Sequence, residues 1–79
     1  MAKLSLQTYG RSRWGTYLES LNFPMEIEEL FLLRRFVGTL RMLAATRNFA
    51  TNIQTVYDCN AQLKRITIGN YAQIHITYD

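Results

Sequence analysis

Leu63-Lys64-Arg65-Ile66-Thr67-Ile68-Gly69-Asn70-Tyr71-Ala72-Gln73-Ile74-His75-Ile76-Thr77-Tyr78 is the stretch that decides the fold of this 79-residue chain. It holds two runs rich in β-branched and aromatic residues, parted by the turn chemistry of Gly69-Asn70. Ile66 and Ile68 share one face of the first run, and Ala72, Ile74, Ile76 and Tyr78 share one face of the second. A two-residue loop would place these apolar sets on opposite sides of the sheet. A three-residue loop, Gly69-Asn70-Tyr71, pairs Ile68 with Ala72 and Ile66 with Ile74 on one side. The spacing therefore predicts a hairpin with the three-residue loop.

Outward from this hairpin, Ile53-Gln54-Thr55-Val56-Tyr57 reads as a preceding strand, with Asp58-Cys59-Asn60 as its turn. Ile53, Thr55 and Tyr57 oppose Val56, so either face of that strand can be the buried one. Positions 24–48 read as one long amphipathic helix. Met25, Leu30, Leu32, Leu33, Phe36, Val37, Leu40, Leu43 and Ala44 fall in one arc when spaced at 100° per residue. Glu26, Glu28 and Glu29 crowd its start and Arg34, Arg35, Arg41 and Arg47 follow, which suits the helix macrodipole. Such a helix would be ~36 Å long.

Toward the N-terminus, Lys3 to Tyr9 alternates around Leu4 and Leu6 as a half-buried strand. Gly10 to Gly15 is a basic loop, Thr16 to Leu21 fits either a second hairpin strand or a helical turn, and Asn22-Phe23-Pro24 is a break. The expected fold class is α+β in a single domain over 1–79. It has an N-terminal strand or hairpin with a basic loop (1–22), one long amphipathic helix (24–48) and a three-strand antiparallel meander packed on it (50–79).

Composition narrows the chemistry. At 48% apolar and 19% charged residues the chain can form a core rather than stay disordered. One Cys and one His exclude an internal disulfide and a protein-only zinc site. A domain this small is marginal without a staple, which directs attention to a partner surface. The net charge of +3 permits a polyanion without demanding one. No apolar run approaches a membrane span, and the N-terminus lacks the apolar core of a signal peptide. The expected location is cytoplasmic or otherwise intracellular, with no membrane association.

No catalytic constellation is visible. His75 lies opposite the isoleucines of its strand, no nucleophile is spaced to suit it, and HExxH, CxxC and Gly-rich phosphate motifs are missing. The expectation is a non-enzyme without catalytic residues, cofactor, metal or small-molecule substrate. Two partner-binding features stand out instead. Arg11, Arg13 and Trp14 lie between glycines, where Trp14 either caps the core or anchors an interface. On the back of the helix, Ile27, Phe31, Gly38 and Met42 form an apolar stripe with a small floor. Either a partner or the N-terminal segment, with Tyr17 and Leu21, would cover it.

The leading expectation is a protein–protein interaction protein, either an assembly subunit, a homo-oligomer among the options, or a compact inhibitor of a larger machine. The alternative is an RNA- or nucleic-acid-binding module whose contacts are Arg11, Arg13, Trp14, Arg65 and Tyr71. A third reading comes from likeness. Leu63-Lys64-Arg65-Ile66-Thr67-Ile68-Gly69-Asn70-Tyr71, with Ile74 and Tyr78, resembles the basic strand, Gly turn, Tyr and second strand of the RelE/ParE toxin family. The resemblance spans 16 residues and implies a small ribonuclease toxin. That family usually carries a helical hairpin before its sheet, where one long helix is expected here, so no catalytic residue is transferred.

Overall fold

The computed structural model describes residues 1–49 and 51–79; Ala50, the first residue of the expected strand region, lies outside them. The elements run β1 (Ala2–Thr8), α1 (Arg13–Glu19), β2 (Met25–Ile27), α2 (Phe31–Thr46), β3 (Ile53–Tyr57), β4 (Leu63–Ile68) and β5 (Ala72–Tyr78). The class is α+β: five antiparallel strands in the order β2-β1-β5-β4-β3, with both helices on one face. The first and last long strands lie side by side, from Ala2 opposite Tyr78 to Thr8 opposite Ala72.

The meander follows the predicted register. Ile66 pairs with Ile74 and Ile68 with Ala72, closed by a Tyr71 amide that donates to the Ile68 carbonyl at 2.9 Å. Gly69 holds φ at +48°, and a Cβ there would collide with Thr51 Oγ1. Gly69→Ala is therefore expected to destabilise the fold by about 1–3 kcal/mol, read as a lower urea midpoint at unchanged slope. The undecided face of β3 is resolved by its partners. Ile53 opposes Ile68 and Thr55 opposes Ile66, on the core side, while Val56 opposes Arg65 on the other. A bulge between Val56 and Tyr57 then sets Tyr57 against Leu63.

The single long helix is corrected to a strand, a turn and a shorter helix. Ala2 pairs with Ile27, Lys3 with Glu26 and Leu4 with Met25. The Met25-Glu26-Ile27 triplet has strand period as well as helix period, and the free edge of β1 captures it. α2 keeps 16 residues, ~24 Å at the α-helical rise. The macrodipole argument fails with it: Glu26 is in β2, Glu28 and Glu29 precede the helix, and α2 has no acid in its first turn and no base in its last. The apolar arc survives in its centre, with Leu33, Val37 and Leu40 buried. Leu30 departs from it at 52% exposed.

The predicted Gly10–Gly15 loop is also shorter than expected. The Ser12 hydroxyl accepts from the Gly15 amide at 2.9 Å and caps α1, so Trp14 sits in the first turn of a helix and Thr16–Glu19 are helical. Trp14 and Leu18 of α1 join Leu33, Val37 and Leu40 of α2 over Ala2, Leu4, Ile66, Ile68, Ala72, Ile74 and Ile76 of the sheet. The opposite face of the sheet carries Lys3, Ser5, Gln7, Arg65, Thr67, Gln73, His75 and Thr77, none of them fully buried.

Charge is partly sorted along the strand direction. β1 begins where β2, β3 and β5 end, and that end gathers Glu26, Glu28, Glu29, Asp58 and Asp79, five of the six acids. The other end holds the Gly69–Tyr71 loop, the N-terminus of α1 and the C-terminus of α2, with Arg11, Arg13 and Arg47 and the sixth acid, Glu19, beside Thr8. Lys3 and Arg34 stand at the acidic end. No helix among the described residues is long and apolar enough to cross a membrane.

Candidate functional site

The basic end is assembled from three chain segments. After β1, Gly10 at φ +65° turns the chain across the end of the sheet, where the Tyr9 amide donates to the Tyr71 carbonyl at 2.9 Å. Arg11 and Arg13 flank the Ser12 cap of α1. From the other side α2 ends at Arg47, whose amide donates to the Leu43 carbonyl. Asn48 at φ +52° then turns Phe49 into the core.

Aromatic rings set the guanidiniums. That of Arg13 lies 4.7 Å from the Phe49 ring centroid, and its Nη2 donates to the Arg47 carbonyl at 3.3 Å. The Arg47 guanidinium stands 5.8 Å from the Tyr17 ring. Between them Trp14 meets Phe49 edge-on at 5.0 Å and Tyr17 at 6.5 Å. The alternation of cation and ring limits the rotamers that Arg13 and Arg47 must lose when they bind an anion.

These side chains border a cleft with two lobes. An open lobe of about 850 Å³ is lined by Arg11, Arg13, Arg47, Tyr17 and Phe49 with Ser12, Thr16 and Ser20. A narrower lobe of about 290 Å³ shares Arg11, Ser12, Arg13 and Phe49 and adds Trp14, Asn48 and Tyr71. No carboxylate lines either lobe. The Trp14 indole Nε1 is buried without a hydrogen-bond partner. Tyr9 and Tyr71 are 41% and 38% exposed at the same end. The chemistry offered is charge-assisted hydrogen bonding to anionic oxygens beside two phenol faces.

Of the residues expected to touch nucleic acid, Arg11, Arg13, Trp14 and Tyr71 converge here. Arg65 does not: it stands in mid-strand between His75 and Val56 on the uncovered face of the sheet. Trp14 is 2% exposed and acts as a wall, not as a stacking surface or interface anchor. The sequence reading missed Arg47, Tyr17 and Phe49. Arg47 had been assigned to the helix dipole, and only the end of α2 shows that it points back across α1.

The helix-back group is dispersed. Ile27 is buried in β2, whereas Phe31 and Met42 are 56% and 65% exposed on α2. A Cβ on Gly38 would meet nothing within 4 Å, so the N-terminal segment does not cover this face. Phe31→Glu with Met42→Glu is expected to change unfolding free energy by no more than ~0.5 kcal/mol per site, as for ordinary surface positions. A thermal melt checks this, and a large loss would mean the stripe is covered in solution.

Elsewhere, Cys59 is a free, exposed thiol in the turn after β3, at the opposite end from the cleft. His75 lies across the sheet from Ser5 and Arg65. Among the described residues, no three His, Cys, Asp or Glu side chains gather where they could hold a metal ion. No family model, curated protein or solved structure matches this chain. The RelE/ParE-like hairpin thus has no family match behind it, and β2 intervenes between the two helices where that family has a helical hairpin.

Proposed function

We propose that this protein is a non-enzymatic binding module for a single-stranded nucleic-acid segment, held in the arginine cleft. The observation that carries the reading is the set of three guanidiniums, two of them ordered by aromatic rings, around a cleft without a carboxylate. Phosphates would take Arg11, Arg13 and Arg47, and bases would stack on Tyr9 and Tyr71. The clustering of unpaired cations favours this over a protein at the same place. Protein interfaces also use Arg and Tyr, but they pair such cations with carboxylates or leave them at the rim. Here three guanidiniums meet in one cleft without an acid, an arrangement suited to consecutive phosphates.

Fluorescence anisotropy of labelled oligouridylate and oligothymidylate, about ten nucleotides long, tests the proposal across a salt series. Three phosphate contacts predict a slope of log affinity on log salt near −2. Undetectable binding at low salt would overturn the reading.

A further inference from the structure

We infer that the free edge of β3 docks an extended acidic segment of a partner protein, which joins the sheet as a sixth strand beside α2. β3 is the outermost strand on its side. The Asn52 carbonyl accepts from the Gly69 amide at 3.0 Å, and the antiparallel ladder alternates from there. Gln54 and Val56 therefore turn their amides and carbonyls toward β4, and Ile53 and Thr55 turn theirs outward. Natural edges are guarded by charge, proline, shortness or a bulge. The bulge of β3 stands at its end, between Val56 and Tyr57, beyond the outward groups of Ile53 and Thr55. β2, the other edge, is three residues long and carries Glu26, but Ile53-Gln54-Thr55-Val56-Tyr57 has no charge and no proline.

A groove follows this edge. One stretch of about 470 Å³ lies between Leu33, Arg34, Val37 and Arg41 of α2 and Thr55 and Tyr57 of β3, and runs on to Leu63 and Tyr78 at the end of the sheet. The next, about 310 Å³, lies between Arg41, Ala44 and Ala45 of α2 and Thr51, Asn52 and Ile53. Arg41 borders both, so the two adjoin on the side of β3 that faces α2. Leu30 and Tyr57 are each 52% exposed in or beside the groove.

Charge selects the occupant. The groove has two arginines and no carboxylate in its lining, and Asp58, in the turn at its end, accepts from the amides of Asn60 and Gln62. A second copy adding through its own β3 would bring two pairs of Arg34 and Arg41 together, so self-pairing is repelled. An acidic strand is attracted, and its main chain satisfies the outward groups of Ile53 and Thr55. Arg34 and Arg41 are seven residues apart, ~10.5 Å along the helix. Strand side chains four residues apart on one side are separated by ~13.5 Å, within reach of two flexible arginines. The favoured segment therefore reads acid, any, apolar, any, acid, with its apolar residue over Val37.

The test uses the whole chain and a labelled Thr-Thr-Glu-Thr-Val-Thr-Glu-Thr-Thr peptide, with a control in which Gln replaces both Glu. Binding of the acidic peptide should slow amide hydrogen exchange at Ile53 and Thr55, and Arg34→Glu with Arg41→Glu should weaken it at least about tenfold. Thr55→Pro removes an outward amide without breaking the ladder to β4, though it also replaces a half-buried side chain, and should abolish binding. If the proline variant does not fold, the double arginine variant and the exchange data decide. Equal binding of the control, unchanged exchange at Ile53 and Thr55 under saturating peptide, or protection of these amides by self-association would each overturn the proposal. So would a double arginine variant that loses oligonucleotide affinity but keeps the peptide.

Discussion

Trp14→Ala is expected to destabilise this protein by about 3–5 kcal/mol, as for other large aromatic deletions from a core. At 79 residues the whole folding free energy is of order 4–12 kcal/mol, so the variant sits near the edge of folding. The large effect comes from position. Trp14 is 2% exposed and is the shared neighbour of Phe49 and Tyr17, and those rings in turn support Arg13 and Arg47. Removing the indole opens a cavity at the junction of α1 with the end of α2, where no adjacent side chain can move in without losing its own contacts. Trp14→Phe should cost far less, because it keeps a ring and removes an indole N–H that is buried without a partner, itself a cost of ~1–3 kcal/mol. Urea unfolding of both variants provides the comparison. A Trp14→Ala loss below about 1 kcal/mol would contradict the packing described here.

Replacing Arg11, Arg13 and Arg47 together by Gln is expected to lower oligonucleotide affinity about a thousand-fold at moderate salt. Three charge-assisted hydrogen bonds of ~1.5 kcal/mol each sum to that factor. The salt slope should collapse from near −2 toward zero. These side chains lie at the surface of the cleft, so the fold should persist, and a near-wild-type melting curve is the required control. The single variants should differ in kind. Arg13→Lys loses the stacking on Phe49 and the fork geometry that reaches the Arg47 carbonyl. It should therefore lose affinity while keeping most of the salt slope. Arg11 has no such ring support, so Arg11→Lys should be milder. Loss of affinity without a change in slope in the triple variant would mean the strand does not use these phosphate contacts.

The strands were legible wherever register was tied to a buried face. Ile66, Ile68, Ala72, Ile74 and Ile76 stay on one face only across a loop of odd length, and the three-residue loop is the predicted one. The stretch around Met25 was not legible for the opposite reason. Its apolar residues satisfy both periods, and the deciding interaction is with Ala2–Leu4, more than twenty residues earlier. Half of the cleft could be read locally, since Arg11, Arg13 and Trp14 are neighbours and Tyr71 belongs to a clear loop. The other half could not. Arg47 and Phe49 reach the cleft only because α2 starts seven residues later than expected and ends beside α1, a matter of tertiary path rather than pattern. Burial of Trp14 likewise depended on the Ser12 cap, which converts a presumed loop into the first turn of a helix.

The partial segregation of acids and bases at opposite ends of the sheet bears on encounter as well as on affinity. Arg11, Arg13 and Arg47 concentrate positive potential at one end. At the other, Lys3, Arg34 and Lys64 offset part of Glu26, Glu28, Glu29, Asp58 and Asp79, which leaves a modest dipole along the strands. In the field of a polyanion such a body tends to rotate before it touches, arriving arginine pole first. Part of the orientational search that slows ordinary docking is thereby removed. Neutralising acids at the far pole, although none of them contacts the cleft, would leave the net charge more positive yet weaken this alignment. Mutations distant from the arginines are thus able to act on the association rate while the dissociation rate stays where it was.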